Sequence, residues 1–154
     1  MIMAKDDWQT PKELFDKLND EFHFGTDVAC NDQNRLCSFH YNNSLIPDWF
    51  VCPYGPFWMN PPYSKPNLDL FTKKAYEESQ KGCTVVGLLP CDCSTGWFKK
   101  YVMKAHEIRF LSRRVQFIDP DTGKRGKNGP TFGSIIVVWK PGHVDAPEVS
   151  SYEW

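Results

Sequence analysis

Four consecutive residues, Asn60-Pro61-Pro62-Tyr63, carry groups suited to chemistry on an amino group attached to a planar ring. Such a nitrogen is a poor nucleophile because its lone pair is delocalised into the ring. If the Asn60 side-chain oxygen and the Pro61 carbonyl each accept one N–H, the lone pair is aimed at a methyl donor. The prolines fix the loop, and Tyr63 supplies a flat face against which the ring stacks. The alternative interpretation is a proline-rich turn with a packed tyrosine.

The neighbouring elements must hold this loop at the edge of a sheet. Phe57-Trp58-Met59 is typical of the end of a buried strand, and Pro61-Pro62 forces the chain out of regular structure. A second strand is predicted over residues 24–30, followed by the polar cluster Asn31-Asp32-Gln33-Asn34. Because ligands bind outside the carboxyl ends of such strands, we expect residues 27–34 and 60–63 to share one site.

The remaining patterns predict helices alternating with short apolar strands. Thr10, Pro11 and Glu13 form a capping-box pattern at the start of one helix, and Ser94 or Thr95 can cap another. A third helix is predicted from about Asn67 to Lys81, with Gly82 as its stop. Further strands are predicted over residues 84–89, 107–111, 115–118 and 132–139. The order indicates an α/β fold, with a mostly parallel sheet, an antiparallel C-terminal strand and helices on both faces.

Composition and charge exclude several classes of protein. With 154 residues, 41% of them hydrophobic, the chain is expected to form one compact domain over residues 1–154, with a loose tail from about residue 141. A net charge of −1 excludes binding of nucleic acid through a strongly basic overall field. The apolar run at residues 135–139 is too short to cross a membrane, and the first residues lack a signal-peptide core. We therefore expect a soluble, intracellular protein.

The six cysteines have several possible uses. Buried free thiols are the favoured interpretation for an intracellular protein with this much core. A metal site on Cys91 and Cys93 is an alternative, although a lone pair of this spacing lacks the second cluster of a zinc signature, and no metal ligand is assigned. Disulfide or redox use is the remaining alternative.

Motifs along most of the chain resemble the amino-methyltransferases, and most closely the Dam-like DNA adenine methylases of phages. The motifs that carry the resemblance are Asp7-Trp8-Gln9-Thr10-Pro11, Asp27-Val28-Ala29-Cys30, Asn60-Pro61-Pro62-Tyr63-Ser64, Val85-Val86-Gly87-Leu88-Leu89-Pro90 and residues 108–117. The resemblance implies a Rossmann-like fold dependent on S-adenosylmethionine. It also implies methylation of the N6 amine of a flipped-out adenine in duplex DNA, with Asn60, Pro61, Pro62 and Tyr63 as the catalytic residues. For a phage-encoded protein, the implied location is the host cytoplasm.

The same resemblance implies which residues border the S-adenosylmethionine pocket. They are Trp8, Thr10 and Pro11 on one side and Asp27, Ala29 and Cys30 on the other. Simpler roles stay open, because Thr10 is a good helix cap and Asp27 can bond loop amides. The turn after the first strand departs from the wider family, since it contains no glycine that would let the backbone approach the cofactor. No acidic residue for the ribose hydroxyls is identified.

Contacts to DNA are predicted from local basic residues and one aromatic residue. The basic candidates are Lys65, Arg113, Arg114, Lys124, Arg125 and Lys127, the last three in a loop punctuated by glycines. By resemblance, Phe117 packs on the flipped base together with Tyr63. The alternatives are a core phenylalanine and a merely solvated loop. Competing functions are methylation of RNA or of protein glutamine by the same loop, and a non-catalytic nucleic-acid binding module.

Overall fold

The computed structural model describes residues 6–42, 45, 48–49, 54–126 and 129–154. Within these residues the helices are α1 (Lys12–Phe22), α2 (Asn67–Lys81) and α3 (Gly96–Lys100), the last followed by a 3-10 turn at Val102–Lys104. The strands are β1 (Thr26–Cys30), β2 (Phe39–Asn42), β3 (Phe57–Met59), β4 (Val85–Pro90), β5 (Glu107–Leu111), β6 (Ser134–Trp139) and β7 (Glu148–Tyr152).

The strands form one sheet in the order β2-β1-β3-β4-β6-β5-β7. Strand β1 is parallel to β2 and β3, β3 is parallel to β4, and β5 is parallel to β7, whereas β6 is antiparallel to both of its neighbours. This arrangement confirms the predicted α/β fold, with β6 as the antiparallel strand of its C-terminal part. Since Asp27 lies opposite Trp58 in the register, the carboxyl ends of β1 and β3 meet at the same edge.

Helices cover both faces of the sheet. On one face, α1 buries Leu14, Phe15 and Leu18 in a cluster with Trp58 and Val86. The other face packs against α2 and α3. In this cluster the helices contribute Phe71, Ala75, Trp97 and Phe98, and the strands contribute Phe57, Met59, Val85 and Leu89. Each large apolar side chain buried in this way contributes about 2 kcal/mol to stability. Strand β3, which leads into the loop of Asn60, is thus fixed from both sides.

The predicted helix ends are partly confirmed. Helix α2 has the predicted bounds, and Gly82 ends it with a φ of 123°, a conformation that side chains with a Cβ rarely adopt. The capping-box prediction for Thr10 is wrong, because Pro11 occupies the N-cap of α1 and no side chain caps that end. Thr95 occupies the N-cap of α3, although its hydroxyl donates to the Asp92 carbonyl instead of capping the helix.

Two predictions for the C-terminal half are corrected by the structure. Residues 115–118 do not form a strand, and only Ile118 makes single β-bridges, to Gln9 and Arg125. The tail predicted to be loose contains β7, which pairs with β5 along five residues. Strand β7 lies at the edge of the sheet with mostly exposed side chains. Its pairing therefore depends on backbone hydrogen bonds, which leave little hydrophobic alternation in a sequence.

Three of the described cysteines are buried free thiols, as predicted, namely Cys30, Cys37 and Cys83. Cys91 is half-buried and Cys93 exposed, and Cys52 lies outside the described residues. In the part of the chain that the structure describes, none of the helices combines the length and apolar character that crossing a membrane requires.

Candidate active site

Two cavities meet at the loop that follows β3, and they share Asp6, Trp8 and Asn60 in their walls. The larger cavity has a volume of about 420 Å³ and is mostly apolar. Its lining residues are Asp6, Trp8, Asn60, Pro61, Tyr63, Ser64, Gln116, Phe117, Gly126, Gly129, Pro130 and Phe132. The smaller cavity, of about 20 Å³, reaches the end of β1. Asn60 therefore stands between a space at the end of β1 and a wider space outside β3.

The side-chain amide of Asn60 has a defined orientation. Its Nδ2 donates to the Thr10 hydroxyl at 3.1 Å and to the Trp8 carbonyl at 3.3 Å. Because both amide hydrogens have acceptors on that side, Oδ1 faces the opposite way, 3.1 Å from the Tyr63 hydroxyl. Asn60 lines both cavities, and its side-chain oxygen faces Tyr63, a wall residue of the larger cavity.

The Tyr63 hydroxyl lies close to two carbonyl oxygens, Leu88 O at 2.8 Å and Asn60 Oδ1 at 3.1 Å. A phenol has one hydrogen to donate, so these two acceptors share it, and the Leu88 contact is the shorter. Burial raises the pKa of Tyr63 above its usual range. The hydroxyl therefore stays protonated at neutral pH and serves as a hydrogen-bond donor.

Aromatic rings form one side of the larger cavity. The ring of Tyr63 meets Phe117 edge to face, with centroids 6.1 Å apart and an interplanar angle of 88°. Phe132 also meets Tyr63 at 6.1 Å and is 36% exposed, while Phe117 is buried. Edge-to-face packing leaves ring faces available for a flat ligand. The cavity volume lies within the range of about 300–1000 Å³ that is typical of small-molecule sites.

Asp27 shapes the smaller cavity at the end of β1. Its side chain is 2% exposed, and its oxygens accept the backbone N–H groups of Ala29 at 3.2 Å and Leu36 at 3.1 Å. Burial raises the pKa of Asp27 to about 6, and the hydrogen bonds from Leu36 and Ala29 oppose that rise. The loop-bonding role that the sequence left open for Asp27 is therefore present.

The glycine-free turn after β1 is closed by its own side chains. Asn31 Oδ1 accepts the backbone N–H groups of Gln33 at 2.9 Å and Asn34 at 3.0 Å, and Asn34 Oδ1 accepts that of Asn31 at 2.7 Å. Such Asn turns satisfy backbone donors without a positive φ. The turn needs no glycine to expose the end of β1 to the smaller cavity.

The structure brings most of the predicted site residues together. Of the six predicted cofactor residues, five line the smaller cavity: Trp8, Thr10, Asp27, Ala29 and Cys30. Pro11 lies outside both walls, at the start of α1. In the loop, Asn60, Pro61 and Tyr63 line the larger cavity, whereas Pro62 lines the smaller one.

The sequence did not indicate several wall residues, namely Asp6, Gln116 and Phe132. It also did not indicate that Ser64 contacts Asp6. Phe132 lies just before β6 and was assigned to that strand, because an apolar residue beside an apolar run has no separate signal. Asp6 precedes the motif that carried the resemblance, so no pattern distinguished it from a solvated carboxylate.

The predicted basic residues have varied surroundings. Arg113 lies 4.0 Å from the centroid of the Trp154 ring and donates to the Trp154 carbonyl, while Arg114 donates to the Pro130 carbonyl in the cavity wall. Arg125 is paired with Glu13. Lys65 and Lys124 are exposed, and Lys127 lies outside the described residues. Their roles toward DNA stay predictions. Among the described residues, no group of three or more His, Cys, Asp or Glu side chains is arranged to hold a metal ion.

The chain is similar to known proteins along most of its length. The family model described as DNA N-6-adenine-methyltransferase (Dam) matches residues 2–152. A DNA N-6-adenine-methyltransferase of Escherichia phage T1 is 32% identical in an alignment 156 residues long. The alignment covers 89% of this chain and 63% of that relative. One of Haemophilus phage HP1 (strain HP1c1) is 35% identical over 146 residues, covering 89% of this chain and 80% of the relative. The chain thus spans less than two thirds of the length of the phage T1 relative.

Proposed function

We propose, because the chain belongs to the DNA N-6-adenine-methyltransferase (Dam) family, that it transfers a methyl group from S-adenosylmethionine to the N6 amine of adenine in DNA. The observation that carries this proposal is the position of Asn60. Its Nδ2 is held by Thr10 and Trp8, its Oδ1 faces Tyr63, and Asn60 lines both cavities. An acceptor for an amine hydrogen is thus fixed between the two spaces that a methyl donor and a base require.

The groups around the smaller cavity fit S-adenosylmethionine in chemistry, although the space itself is narrow. Polar groups at the β1 end and the Trp8 ring line the same cavity, and the π face of an indole suits a sulfonium cation. A volume of about 20 Å³ accommodates about one water molecule. S-adenosylmethionine needs a larger space than this, so the smaller cavity would have to widen when the cofactor enters. Trp8, Thr10, Ala29 and Cys30 would hold it, and Asp27 would keep the loop behind it in place.

When bound, S-adenosylmethionine supplies a methyl group activated by its sulfonium. The chain supplies the geometry of the amine. Asn60 Oδ1 and the Pro61 carbonyl accept the two N6 hydrogens, which turns the nitrogen lone pair away from the adenine ring. Because Tyr63 stays protonated, it does not act as a base, and the proton of the methylated product passes to water. The mechanism therefore rests on positioning of the amine and requires no general base, because the methylated ammonium can lose its proton after the transfer.

The larger cavity is suited to a base that has left the DNA stack. Enzymes that modify a base must extrude it into a pocket, and the unstacked ring then needs aromatic neighbours. Tyr63, Phe117 and Phe132 supply such neighbours on one side of the cavity. Arg114, which donates to the Pro130 carbonyl in the cavity wall, and Lys124 in the loop punctuated by glycines would contact phosphates.

Transfer of radiolabel from S-adenosylmethionine tests this proposal. Unmethylated duplex DNA, RNA and a protein extract are each incubated with the wild-type chain, and labelled DNA is digested to nucleosides for mass spectrometry. We expect label in DNA as N6-methyldeoxyadenosine. Asn60→Ala should abolish transfer while the affinity for S-adenosylhomocysteine changes by no more than a few-fold, because Asn60 bonds the substrate. Gln80→Ala, an exposed amide that lines neither cavity, is the matched control.

Each other result identifies a different function. Label in RNA or in protein glutamine would show that the same loop serves another amino group. Absence of label from all three polymers would leave a non-catalytic nucleic-acid binding module. Near-normal turnover of Asn60→Ala would show that the assigned role of Asn60 is wrong.

A further inference from the structure

We propose that Asp6 is a positioning residue for methyl transfer, because its carboxylate holds Ser64 and so fixes the end of the catalytic loop, residues 60–64, opposite Asn60. Asp6 Oδ1 accepts the Ser64 backbone N–H at 3.2 Å, and Asp6 Oδ2 accepts the Ser64 hydroxyl. Asn67 Nδ2 donates to the same Ser64 oxygen at 3.0 Å. The inference rests on the function proposed above.

Residues 6–10 contact both ends of the catalytic loop. At the first end, the Trp8 carbonyl and the Thr10 hydroxyl accept the Asn60 amide. At the other end, Asp6 accepts two hydrogen bonds from Ser64. Between these contacts, Gln9 exchanges two backbone hydrogen bonds of 2.9 Å with Ile118, the residue that follows Phe117. One short segment therefore joins the catalytic loop to the aromatic side of the larger cavity.

The loop needs this second contact because its prolines restrain only part of it. Pro61 and Pro62 have fixed φ angles, but Tyr63 and Ser64 do not. Acceptors for a reacting amine must be held to within roughly 0.5 Å, and a displacement of about 1 Å lowers the rate by about a hundredfold. Hydrogen bonds to a carboxylate are among the stronger restraints a side chain can supply. Asp6 thus complements the prolines by fixing the loop after its rigid part.

A direct contact between Asp6 and the cofactor is the main alternative, because Asp6 lines both cavities. Two features favour the positioning role. Each carboxylate oxygen already accepts a hydrogen bond from Ser64, and Ser64 lines only the larger cavity. The two roles differ in the kinetic constant that they affect, so substitutions can separate them.

The kinetic test uses Asp6→Ala, Asp6→Asn, Ser64→Ala and the double variant, assayed with labelled S-adenosylmethionine and unmethylated duplex DNA. We expect Asp6→Ala to lower kcat about tenfold, with KM for S-adenosylmethionine changed less than threefold. Asp6→Asn keeps one acceptor oxygen, and Ser64→Ala keeps the backbone donor, so both should fall between wild type and Asp6→Ala. The double variant should be no slower than Asp6→Ala, because both substitutions remove the same interaction. Asp16→Ala, at a half-exposed carboxylate of α1 that lines neither cavity, should leave kcat unchanged.

Hydrogen exchange supplies a measurement that does not need activity. The Ser64 amide is followed by mass spectrometry of peptides that span the catalytic loop, and its exchange should accelerate at least tenfold in Asp6→Ala and less in Asp6→Asn. If the wild-type chain methylates none of the polymers tested, the proposed function fails while this exchange still decides the role of Asp6. A thermal unfolding curve shows whether each variant is folded. If Asp6→Ala is unfolded, the two single variants Asp6→Asn and Ser64→Ala supply the test.

Three results would overturn the inference. The first is an unchanged kcat in Asp6→Ala, and the second is unchanged exchange at Ser64. The third is a loss confined to KM for S-adenosylmethionine with normal kcat at saturation, which would make Asp6 a direct cofactor ligand.

Discussion

The Thr10 hydroxyl accepts a hydrogen bond from the Asn60 side-chain amide at 3.1 Å, joining two residues fifty positions apart in the sequence. Thr10 is 5% exposed and precedes α1 without capping it, so its hydroxyl is available to Asn60. An asparagine amide flips easily unless its nitrogen and oxygen have different partners. Thr10 and the Trp8 carbonyl remove that ambiguity and turn Oδ1 toward Tyr63, where the proposed function needs an acceptor.

Replacing Thr10 by Val should therefore slow methyl transfer. Valine keeps the shape of the side chain but offers no acceptor, and one Asn60 hydrogen then loses its partner at a cost of about 1–2 kcal/mol. We expect kcat to fall about tenfold, since the Trp8 carbonyl still bonds the amide, and to recover in Thr10→Ser. Steady-state assays on unmethylated duplex DNA measure both variants. Equal kcat for Thr10→Val and wild type would mean that Asn60 is oriented without Thr10.

The parts of this molecule that local patterns control could be predicted from the sequence. Helix α2 has the predicted bounds because its apolar stripe ends at a glycine that can adopt a positive φ. The catalytic loop lies at the carboxyl end of β3 because two prolines cannot continue a strand. The common edge for β1 and β3 follows from parallel pairing, which was expected from alternating helices and strands.

The parts that depend on distant contacts could not be predicted. Strand β7 is stabilised by backbone pairing with β5 at an exposed edge, so its side chains carry no alternating pattern. Thr10 does not cap α1 as its pattern predicted, and its hydroxyl instead bonds Asn60, which follows β3. Nothing near Thr10 in the sequence indicates that partner. Asp6 and Phe132 reach the larger cavity from distant parts of the chain, and only the fold brings them together.

Tyr63 should be more important for its ring than for its hydroxyl. In Tyr63→Phe the ring is kept and the hydrogen bond to the Leu88 carbonyl is lost, which lowers stability by about 1 kcal/mol. We expect KM for DNA to change less than threefold in Tyr63→Phe and to rise at least tenfold in Tyr63→Ala, which removes the face for the base. Steady-state kinetics and urea unfolding measure the two effects. A Tyr63→Phe variant as defective as Tyr63→Ala would assign the main role to the hydroxyl.

Phe132 is expected to contribute more to DNA binding than to stability. It is 36% exposed and meets the Tyr63 ring at the wall of the larger cavity. Phe132→Ala should raise KM for DNA about tenfold, because base–aromatic stacking contributes about 1–3 kcal/mol. The free energy of unfolding should fall by about 1 kcal/mol, because the contact with the Tyr63 ring is lost. Phe110→Ala, at a phenylalanine of β5 that is 41% exposed and lines neither cavity, is the matched control. If both variants bind DNA like wild type, Phe132 has no contact with the base.

The raised pKa of Asp27 predicts a pH-dependent stability. Its folded-state pKa of about 6 lies above the value of about 3.9 expected in the unfolded chain. The folded state therefore binds more protons between these values, and the free energy of unfolding should rise by about 1 kcal/mol from Asp27 as the pH falls from 7 to 5. Urea unfolding of wild type and Asp27→Asn at both pH values isolates this contribution, because the other carboxyls are common to both proteins. Identical pH profiles would contradict the shift.

The pairing of Arg125 with Glu13 predicts how the loop that carries Lys124 and Arg125 affects DNA binding. Both side chains are 46% exposed, so the ion pair contributes little to stability. If Arg125 binds phosphate as predicted, Glu13 competes with the phosphate for its guanidinium. We expect Glu13→Gln to bind duplex DNA more tightly than wild type, because Arg125 is then available.

Lys124→Ala with Arg125→Ala should weaken binding and reduce the slope of log affinity against log salt by about 0.9 for each phosphate that is no longer neutralised. Fluorescence anisotropy at several salt concentrations measures both, with Lys99→Ala and Lys100→Ala, two exposed lysines of α3, as the charge-matched control. The same reduction of slope in that control would show that the effect comes from net charge and not from the position of the loop.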